Sequence, residues 1–367
     1  MEKLRTVLIG LGERGKIHLY GLLQNKEYFE VTGVCDLNEK RVCETAETYM
    51  LKKEQLYYDA EKMLNELRPD VMVFATLPHI RLSMAELAVK YHVKGMMFEK
   101  PMATSLQVAK EITDLCKEHQ IKAVVCQQHK YLRSFEQLRR RIDSGELGEI
   151  YQIQANCQPQ ASQLGTHYID YMLWANGGVR AKAVTGHVHG NFYLDDSHPS
   201  PDYILGHIAF ENGVRGILEC GYFAKQHDAH ETGFSHVIME DKYWTDDRLT
   251  VYGTKGYAYA ECSGRYGAFT SDTHSMVEAG DYDDFFKKEQ FDAQTGYTRE
   301  FGVWMLNDKK VHPCNVEMAY HGYEILEGIY MSAIERTRID LPVPLPLKYD
   351  AVSILKEKLN AVDYMKF

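Results

Sequence analysis

The amino-acid sequence predicts an α/β protein in two parts: a doubly wound domain with a parallel sheet, then an α+β domain on a large, mostly antiparallel open sheet. Three observations carry this. Short apolar runs alternate with helical stretches over the first third of the chain. A glycine-rich turn follows the first of those runs. Beyond about residue 126 the pattern changes to period-two alternation.

In order, TVLIG (6–10) reads as a strand, 13–26 as a helix, FEVTGVCD (29–36) as a strand and 38–53 as a polar helix. LYYD (56–59) is a short strand, followed by a helix at 60–67 and the near-continuous apolar strand VMVFAT (71–76). IRLSMAELAVKY (80–91) is helical, VKGMMF (93–98) a strand, SLQVAKEITDLCKEH (105–119) an amphipathic helix and IKAVVC (121–126) a strand. Apolar strands separated by helices imply a parallel sheet covered on both faces. The stretches YQIQANC, AKAVTGHVHG, YILGHIAF, GVRGILECGYF, RLTVYG and GYAYAEC then alternate, as strands with one covered face do. Helices are expected at 166–175 and 316–335, and a Pro-rich tail, DLPVPLPL (340–347), precedes a last short helix. The expected domains are 1–125 and 126–367. A large open sheet suggests self-association, as a dimer or tetramer, through the C-terminal domain.

Net charge is −10 with 42 basic and 52 acidic residues, which argues against nucleic acid and anionic lipid as partners. A small neutral or modestly charged substrate fits better. No apolar signal core and no long apolar run is present, so a cytoplasmic location is expected. Eight scattered Cys without a C-x-x-C pair read as thiols in a reducing compartment.

The turn GLGERG spaces Gly10, Gly12 and Gly15 as G-x-G-x-x-G between a strand and a helix, the Rossmann pattern for a dinucleotide. Gly10 permits the tight turn, Gly12 lets backbone approach a pyrophosphate, and Gly15 lets helix and strand pack closely. Leu11, Glu13 and Arg14 complete the turn, and Arg14 is placed to add a phosphate contact. Asp36, 21 residues after Gly15, suits a ribose 2′-OH and repels a 2′-phosphate, which favours NAD over NADP. Arg41, a turn further on, weakens that preference; the other reading of Asp36 is a helix cap.

FEKPMA (98–103) ends the fifth strand with Glu99 and Lys100. A solvated ion pair before a helix-starting Pro is one reading. The carboxyl end of a strand in a doubly wound sheet is also where ligands bind, which places Glu99 and Lys100 beside a nicotinamide and Thr76, Leu77 and Pro78 along the cofactor. Pro101 permits a rigid turn, cis or trans.

In this order the motifs resemble the Gfo/Idh/MocA family (glucose–fructose oxidoreductase and inositol dehydrogenase). They are G-x-G-x-x-G, Asp36, ATLPH (75–79), FEKP, SGELGEI (144–150), LGTHYIDYMLW (164–174), LTVYGTKGY (249–257) and EILEGIYMSAIERTRIDLPVP (324–344). The resemblance implies an NAD(P)-dependent oxidoreductase acting on a sugar, polyol or related carbonyl. It places Lys100 at the reacting carbon and His167, of G-x-H-x-x-D, as proton donor or acceptor, with Asp170 structural. An imidazole suits proton transfer near neutral pH, and an ammonium stabilises a developing alkoxide. A packed helix histidine is the other reading of His167.

The sequence departs from the family where a carboxylate often stands four residues before the His: here it is Gln163, which orients a hydroxyl but takes no proton. This fits an unusual sugar derivative or a member without dehydrogenase turnover. Arg81 stands close to where many members have a His and is given no role. Arg133, Tyr168 and KQHDAHE (225–231) are further candidate pocket residues; Tyr168, Tyr203, Tyr222 and Tyr243 suit sugar contacts or sheet packing. His187, His189, His198 and His207 with Asp195 and Asp196 lack a complete ligand spacing, so no metal is expected. Two alternatives stand: a glycosidase that oxidises, eliminates and reduces on a retained NAD, and a non-catalytic dinucleotide-binding regulator.

Overall fold

The computed structural model describes residues 2–158, 160–195, 199–221, 247–262, 264–271, 277–279 and 285–360. They form two compact units, the first comprising Met1–Tyr131 and Lys288–Tyr320, the second Leu132–Lys287 and His321–Phe367.

The first unit is built on strands β1 (Leu4–Ile9), β2 (Phe29–Cys35), β3 (Leu56–Tyr57), β4 (Val71–Phe74), β5 (Gly95–Glu99) and β6 (Lys122–Cys126), in the spatial order β3-β2-β1-β4-β5-β6. Every pairing is parallel. The order reverses between β1 and β4, which opens a crevice at their carboxyl ends. Successive side chains enter opposite cores: Val7, Phe74, Phe98 and Val125 on one face, Leu8, Val73, Met97 and Val124 on the other. This two-sided burial is why the strands read as unbroken apolar runs. Phe74 and Phe98 stack with centroids 4.9 Å apart.

A division of the chain at one point does not describe this unit, because a later segment returns to it. Helix Phe285–Leu306 sets Tyr297 and Phe301 into the second of those cores, and Val125 donates its N–H to the Cys314 carbonyl at 3.0 Å. Sequence reading did not anticipate this helix. Gly296 and Gly302 interrupt it, each a residue that costs about 1 kcal/mol relative to Ala in a helix interior. Contact explains Gly302: a Cβ there would stand 2.7 Å from the Tyr28 ring.

The second unit holds a nine-stranded sheet. Its strands are β7 (Ile150–Cys157), β8 (Ala181–His189), β9 (Tyr203–Phe210), β10 (Arg215–Gly221), β11 (Arg248–Gly253), β12 (Gly256–Glu261), β13 (Tyr266–Thr270), β14 (Val277–Ala279) and β15 (Ile339–Asp340). They lie in the order β14-β13-β12-β11-β7-β10-β9-β8-β15. Only β7 and β10 pair in parallel. The six alternating stretches of the sequence supply β7 to β12. Along β9, Ile204, Gly206, Ile208 and Phe210 are buried while Leu205 and His207 are exposed. The predicted helices occur as Thr166–Ala175 and Val316–Glu335, and Gly322 of the latter faces Ile169 and Leu173 of the former. No helix among the described residues is long and apolar enough to cross a membrane.

Candidate active site

The glycine turn has the geometry its spacing requires. Gly10 sits at φ +88°, and a Cβ on it would come within 2.6 Å of the Ala75 carbonyl oxygen. A Cβ on Gly15 would lie 1.9 Å from the Gly10 carbonyl oxygen, so helix Glu13–Gln24 meets the turn in direct contact. At Gly12, the residue capping that helix, a Cβ would meet no protein atom within 4 Å. The turn is thus closed behind and open in front, at a helix N-terminus where N–H groups and the helix dipole favour an anion. Leu11 is buried and Glu13 exposed.

Asp36 follows β2 and is tied to the same turn. Its Oδ2 accepts the Leu11 N–H at 2.7 Å, and its Oδ1 accepts the Asn38 N–H at 2.8 Å. Asn38, not Asp36, caps the next helix, its side chain accepting from the Arg41 N–H. The Arg41 guanidinium lies 3.8 Å from Asp36 Oδ2.

At the end of β5, Glu99 is only 6 % exposed. Its Oε1 accepts from Arg14 Nε at 2.8 Å and from His18 Nε2 at 3.0 Å. Burial alone would raise the Glu99 carboxyl; the Arg14 guanidinium and the His18 hydrogen bond reverse this and hold it well below the usual carboxylate range. Arg14 Nη2 also reaches Cys126 Sγ at 3.5 Å, and Gln294, from the returning helix, contacts His18 Nδ1 at 3.1 Å. Neither His18 nor Gln294 was singled out from the sequence. His18 carried a signal: it lies one helical turn after Arg14, a polar residue beside buried Leu19 and Leu22.

Lys100 is half-buried, and its peptide bond to Pro101 is cis. Burial lowers its ammonium pKa, Glu99 opposes that, and Arg14 and Arg81 add to it. Arg81, given no role from the sequence, is 2 % exposed and donates from Nη2 to the Thr76 carbonyl at 3.0 Å and to the Lys100 carbonyl at 3.1 Å. It joins the loops after β4 and β5. Burial, partly offset by Glu99, pushes its pKa down to about 10. Its Nε and Nη1, and Thr76 Oγ1, are buried without a hydrogen-bond partner among the described residues. Leu77 is exposed and Pro78 half-buried along the same loop.

After β6, Gln128 Nε2 donates to Gln290 Oε1 at 2.8 Å, which turns the Gln290 amide nitrogen towards His129 Nε2 at 3.1 Å. Burial, with Arg14 and Lys100 beside it, pushes His129 down to about 3, so the ring is neutral at ordinary pH.

In the second unit, residues 161–165 form a single π-helical turn that leads into helix Thr166–Ala175. His167 is 3 % exposed, with Nδ1 3.0 Å from the Tyr171 hydroxyl. Asp170 is buried on the same helix, and Gln163 stands half-buried in the turn before it. Tyr168 does not present itself to a ligand: it is fully buried, its hydroxyl 3.6 Å from Cys262 Sγ, because its side of the helix faces the sheet core. Arg133 is exposed at the start of helix Arg133–Asp143. Tyr203 donates to Glu219 at 3.0 Å. Tyr222, Tyr243, Asp196, His198 and residues 225–231 lie outside the described residues. Among the described residues, His187, His189 and His207 form no three-ligand cluster; Asp195 pairs with Lys356. His18, Glu99 and Cys126 do cluster, but the Arg14 guanidinium bonds to two of the three and leaves no place for a cation.

The first unit thus fits a dinucleotide on its own features: the open cradle at Gly12, the carboxylate of Asp36 beside the turn, and the unpartnered Thr76 hydroxyl at the end of β4. Fold and turn together define a Rossmann-type dinucleotide-binding protein. Two family models match the chain: an oxidoreductase family with an NAD-binding Rossmann fold over residues 4–127, and the Gfo/Idh/MocA C-terminal domain over residues 135–259. The chain belongs to the Gfo/Idh/MocA family of oxidoreductases. A glycosyl hydrolase family 109 protein of Akkermansia muciniphila is 26 % identical over 159 residues, 41 % of this chain and 32 % of that one, so the match spans about a third of that relative. D-glucoside 3-dehydrogenase of Escherichia coli is 23 % identical over 372 residues, 92 % of this chain and 97 % of that one. An oxidoreductase from Agrobacterium radiobacter, solved with NAD+, L-tartaric acid and magnesium, shares the fold with a TM-score of 0.72 at 16 % identity, covering 92 % of this chain and 98 % of that one.

Proposed function

We propose that the protein is an NAD(P)-dependent dehydrogenase that interconverts a hydroxyl and a carbonyl on a sugar, polyol or related carbohydrate derivative, with NAD the preferred cofactor. The observation that carries this is the placement of Lys100 at the carboxyl end of β5, next to Glu99, whose carboxylate is bonded to Arg14 of the glycine turn. Gly10, Leu11, Gly12, Glu13 and Gly15 hold the pyrophosphate end, Asp36 the adenosine ribose, and Thr76, Leu77, Pro78 and Glu99 line the remainder. A bound nicotinamide supplies the hydride acceptor or donor.

The protein's own groups manage the proton and the charge. Lys100 hydrogen-bonds the reacting oxygen and stabilises the alkoxide that develops there, a role that burial strengthens. Its lowered pKa lets it release and regain a proton more readily than an exposed lysine. His167 serves as the proton acceptor in oxidation and the donor in reduction. Its Nδ1 lies 3.0 Å from the Tyr171 hydroxyl, which helps to orient the ring. Gln163 orients a substrate hydroxyl without titrating. The names of the two relatives support a carbohydrate substrate, and the Agrobacterium structure supports NAD.

Self-association through the open face of the nine-stranded sheet is part of the same reading. Leu205 and Tyr151 are exposed there, and Tyr257 packs between Tyr252 and Phe269 at 5.8 and 6.1 Å. The experiment is to ask whether NAD(H) copurifies and to screen sugars and polyols for absorbance change at the nicotinamide band. Net hydrolysis of an aryl glycoside with no NADH formed would instead assign the transient-oxidation glycosidase chemistry.

A further inference from the structure

We propose that Arg14, His18, Glu99, Cys126 and Gln294 form a closed hydrogen-bonded ring that positions Lys100, and that the ring commits Arg14 to Glu99 instead of to a cofactor phosphate. The role of Lys100 rests on the dehydrogenase reading above; the ring itself does not.

The ring closes atom by atom. Cys126 Sγ lies 3.4 Å from Gln294 Oε1 and 3.5 Å from Gln128 Oε1; in the ring its one S–H donates to the nearer, which turns the amide nitrogen of Gln294 towards His18. Gln294 Nε2 donates to His18 Nδ1 at 3.1 Å, so the ring proton lies on Nε2. His18 Nε2–H donates to Glu99 Oε1 at 3.0 Å, and Arg14 Nε–H donates to the same oxygen at 2.8 Å. Arg14 Nη2–H then returns to Cys126 Sγ at 3.5 Å.

Four elements meet here: helix Glu13–Gln24 at the glycine turn, the ends of β5 and β6, and helix Phe285–Leu306. Glu99 is the neighbour of Lys100, so fixing its carboxylate fixes the peptide that bears the lysine. From the other side, Arg81 holds the Lys100 carbonyl at 3.1 Å. The lysine backbone is gripped at both ends.

The charges explain why Arg14 stays. Glu99 is 6 % exposed and His18 fully buried. Moving Arg14 to a phosphate would take the guanidinium away from a buried carboxylate and leave it with the His18 N–H, a heavy penalty for a buried charge. The groups that act on Lys100 are Glu99, Arg14, Arg81 and Cys126, and Lys100 in turn acts on His129, on the loop after β6. With Arg14 and Glu99 paired, their charges largely cancel at Lys100.

The test uses the full chain with labelled lysine and histidine. The Lys100 side chain is titrated by NMR, its resonance assigned by its loss in Lys100→Met, and NAD+ affinity is measured in parallel. In Arg14→Gln, the Glu99 charge stands uncompensated and one repulsion is gone. Lys100 then titrates higher than in the unaltered chain, while NAD+ affinity changes by less than tenfold. A loss of tenfold or more in NAD+ affinity, or an unmoved Lys100 titration, overturns the proposal. On the unaltered chain, nitrogen-15 shifts of the neutral His18 ring should show Nδ1 bare and Nε2 protonated; the opposite tautomer breaks the ring and overturns the proposal without any variant. Absence of NAD(H) binding by the unaltered chain, or turnover surviving Lys100→Met, would refute the dehydrogenase reading and leave the ring standing.

Discussion

Arg14 and Glu99, 85 positions apart in the chain, meet with Nε 2.8 Å from Oε1. The contact ties the helix that opens the glycine turn to the strand that ends at Lys100. Glu99 stays ionised because of it, and folding becomes sensitive to acid. A carboxylate whose folded pKa lies below its unfolded value, near 4.3, contributes its full stability above that pH and loses it as pH falls through the folded value. Glu99→Gln should therefore be less stable than the unaltered chain at pH 7, with a smaller further loss between about pH 4.3 and pH 2.5. Urea midpoints across that range check this; parallel curves would contradict it.

Two buried imidazoles act at milder pH. His312 is fully buried: Nδ1 accepts the Cys314 N–H at 3.0 Å, Nε2 lies 3.1 Å from the Tyr297 carbonyl oxygen and 3.2 Å from the Tyr131 hydroxyl, and burial followed by Lys130 pushes its pKa down to about 3. His129 behaves alike. A histidine with a lowered folded pKa gives full stability above the unfolded value near 6.5 and loses it as pH falls towards the folded one. Each should cost about 2 kcal/mol by pH 5. His312→Gln should lower stability at pH 7.5 and shrink the loss between pH 7.5 and 5 by about that amount. Urea unfolding at the two pH values is the measurement.

The three glycines of the turn should separate stability from binding. Gly15→Ala places a Cβ 1.9 Å from a carbonyl oxygen and should destabilise by about 1–3 kcal/mol. Gly12→Ala meets nothing within 4 Å and should leave the melting temperature nearly unchanged. Yet it fills the cradle, so NAD+ affinity should fall roughly tenfold or more, about 1.4 kcal/mol. Thermal melts and NADH fluorescence titration read the two effects. Equal NAD+ affinity in Gly12→Ala would place the pyrophosphate elsewhere.

Much of this was legible in the sequence, and the limits have physical causes. The parallel strands declared themselves because both faces of β4 and β5 are buried, leaving no polar position to interrupt the run. Gly10 and Gly15 were legible because a backbone contact forbids any side chain there. Gln294 was not legible. It is a fully buried polar residue whose partners include two from distant parts of the chain, Cys126 and His18, besides Thr298 one turn along its own helix. The helix that carries it was hidden by Gly296 and Gly302. Tyr168 looked available beside His167, but on a helix buried almost all round, adjacency in sequence places a side chain in the core as readily as at a site.

Asp36 has two duties, and a substitution should reveal both. Its carboxylate holds the Leu11 and Asn38 N–H groups and, in the proposed function, a ribose hydroxyl. Asp36→Ala should weaken NAD+ by about tenfold or more and NADP+ by less, because the charge that repels a 2′-phosphate is removed. Paired affinity measurements check this. An equal loss for both cofactors would mean that Asp36 serves only the turn.

The most direct test of the dehydrogenase reading is Lys100→Met, with turnover and NADH binding measured on one preparation. Once a sugar or polyol substrate has been found, turnover should fall by about 10²–10⁴-fold while NADH affinity stays within about threefold of the unaltered chain. Turnover that survives the substitution would contradict the assignment of the reacting centre to this lysine.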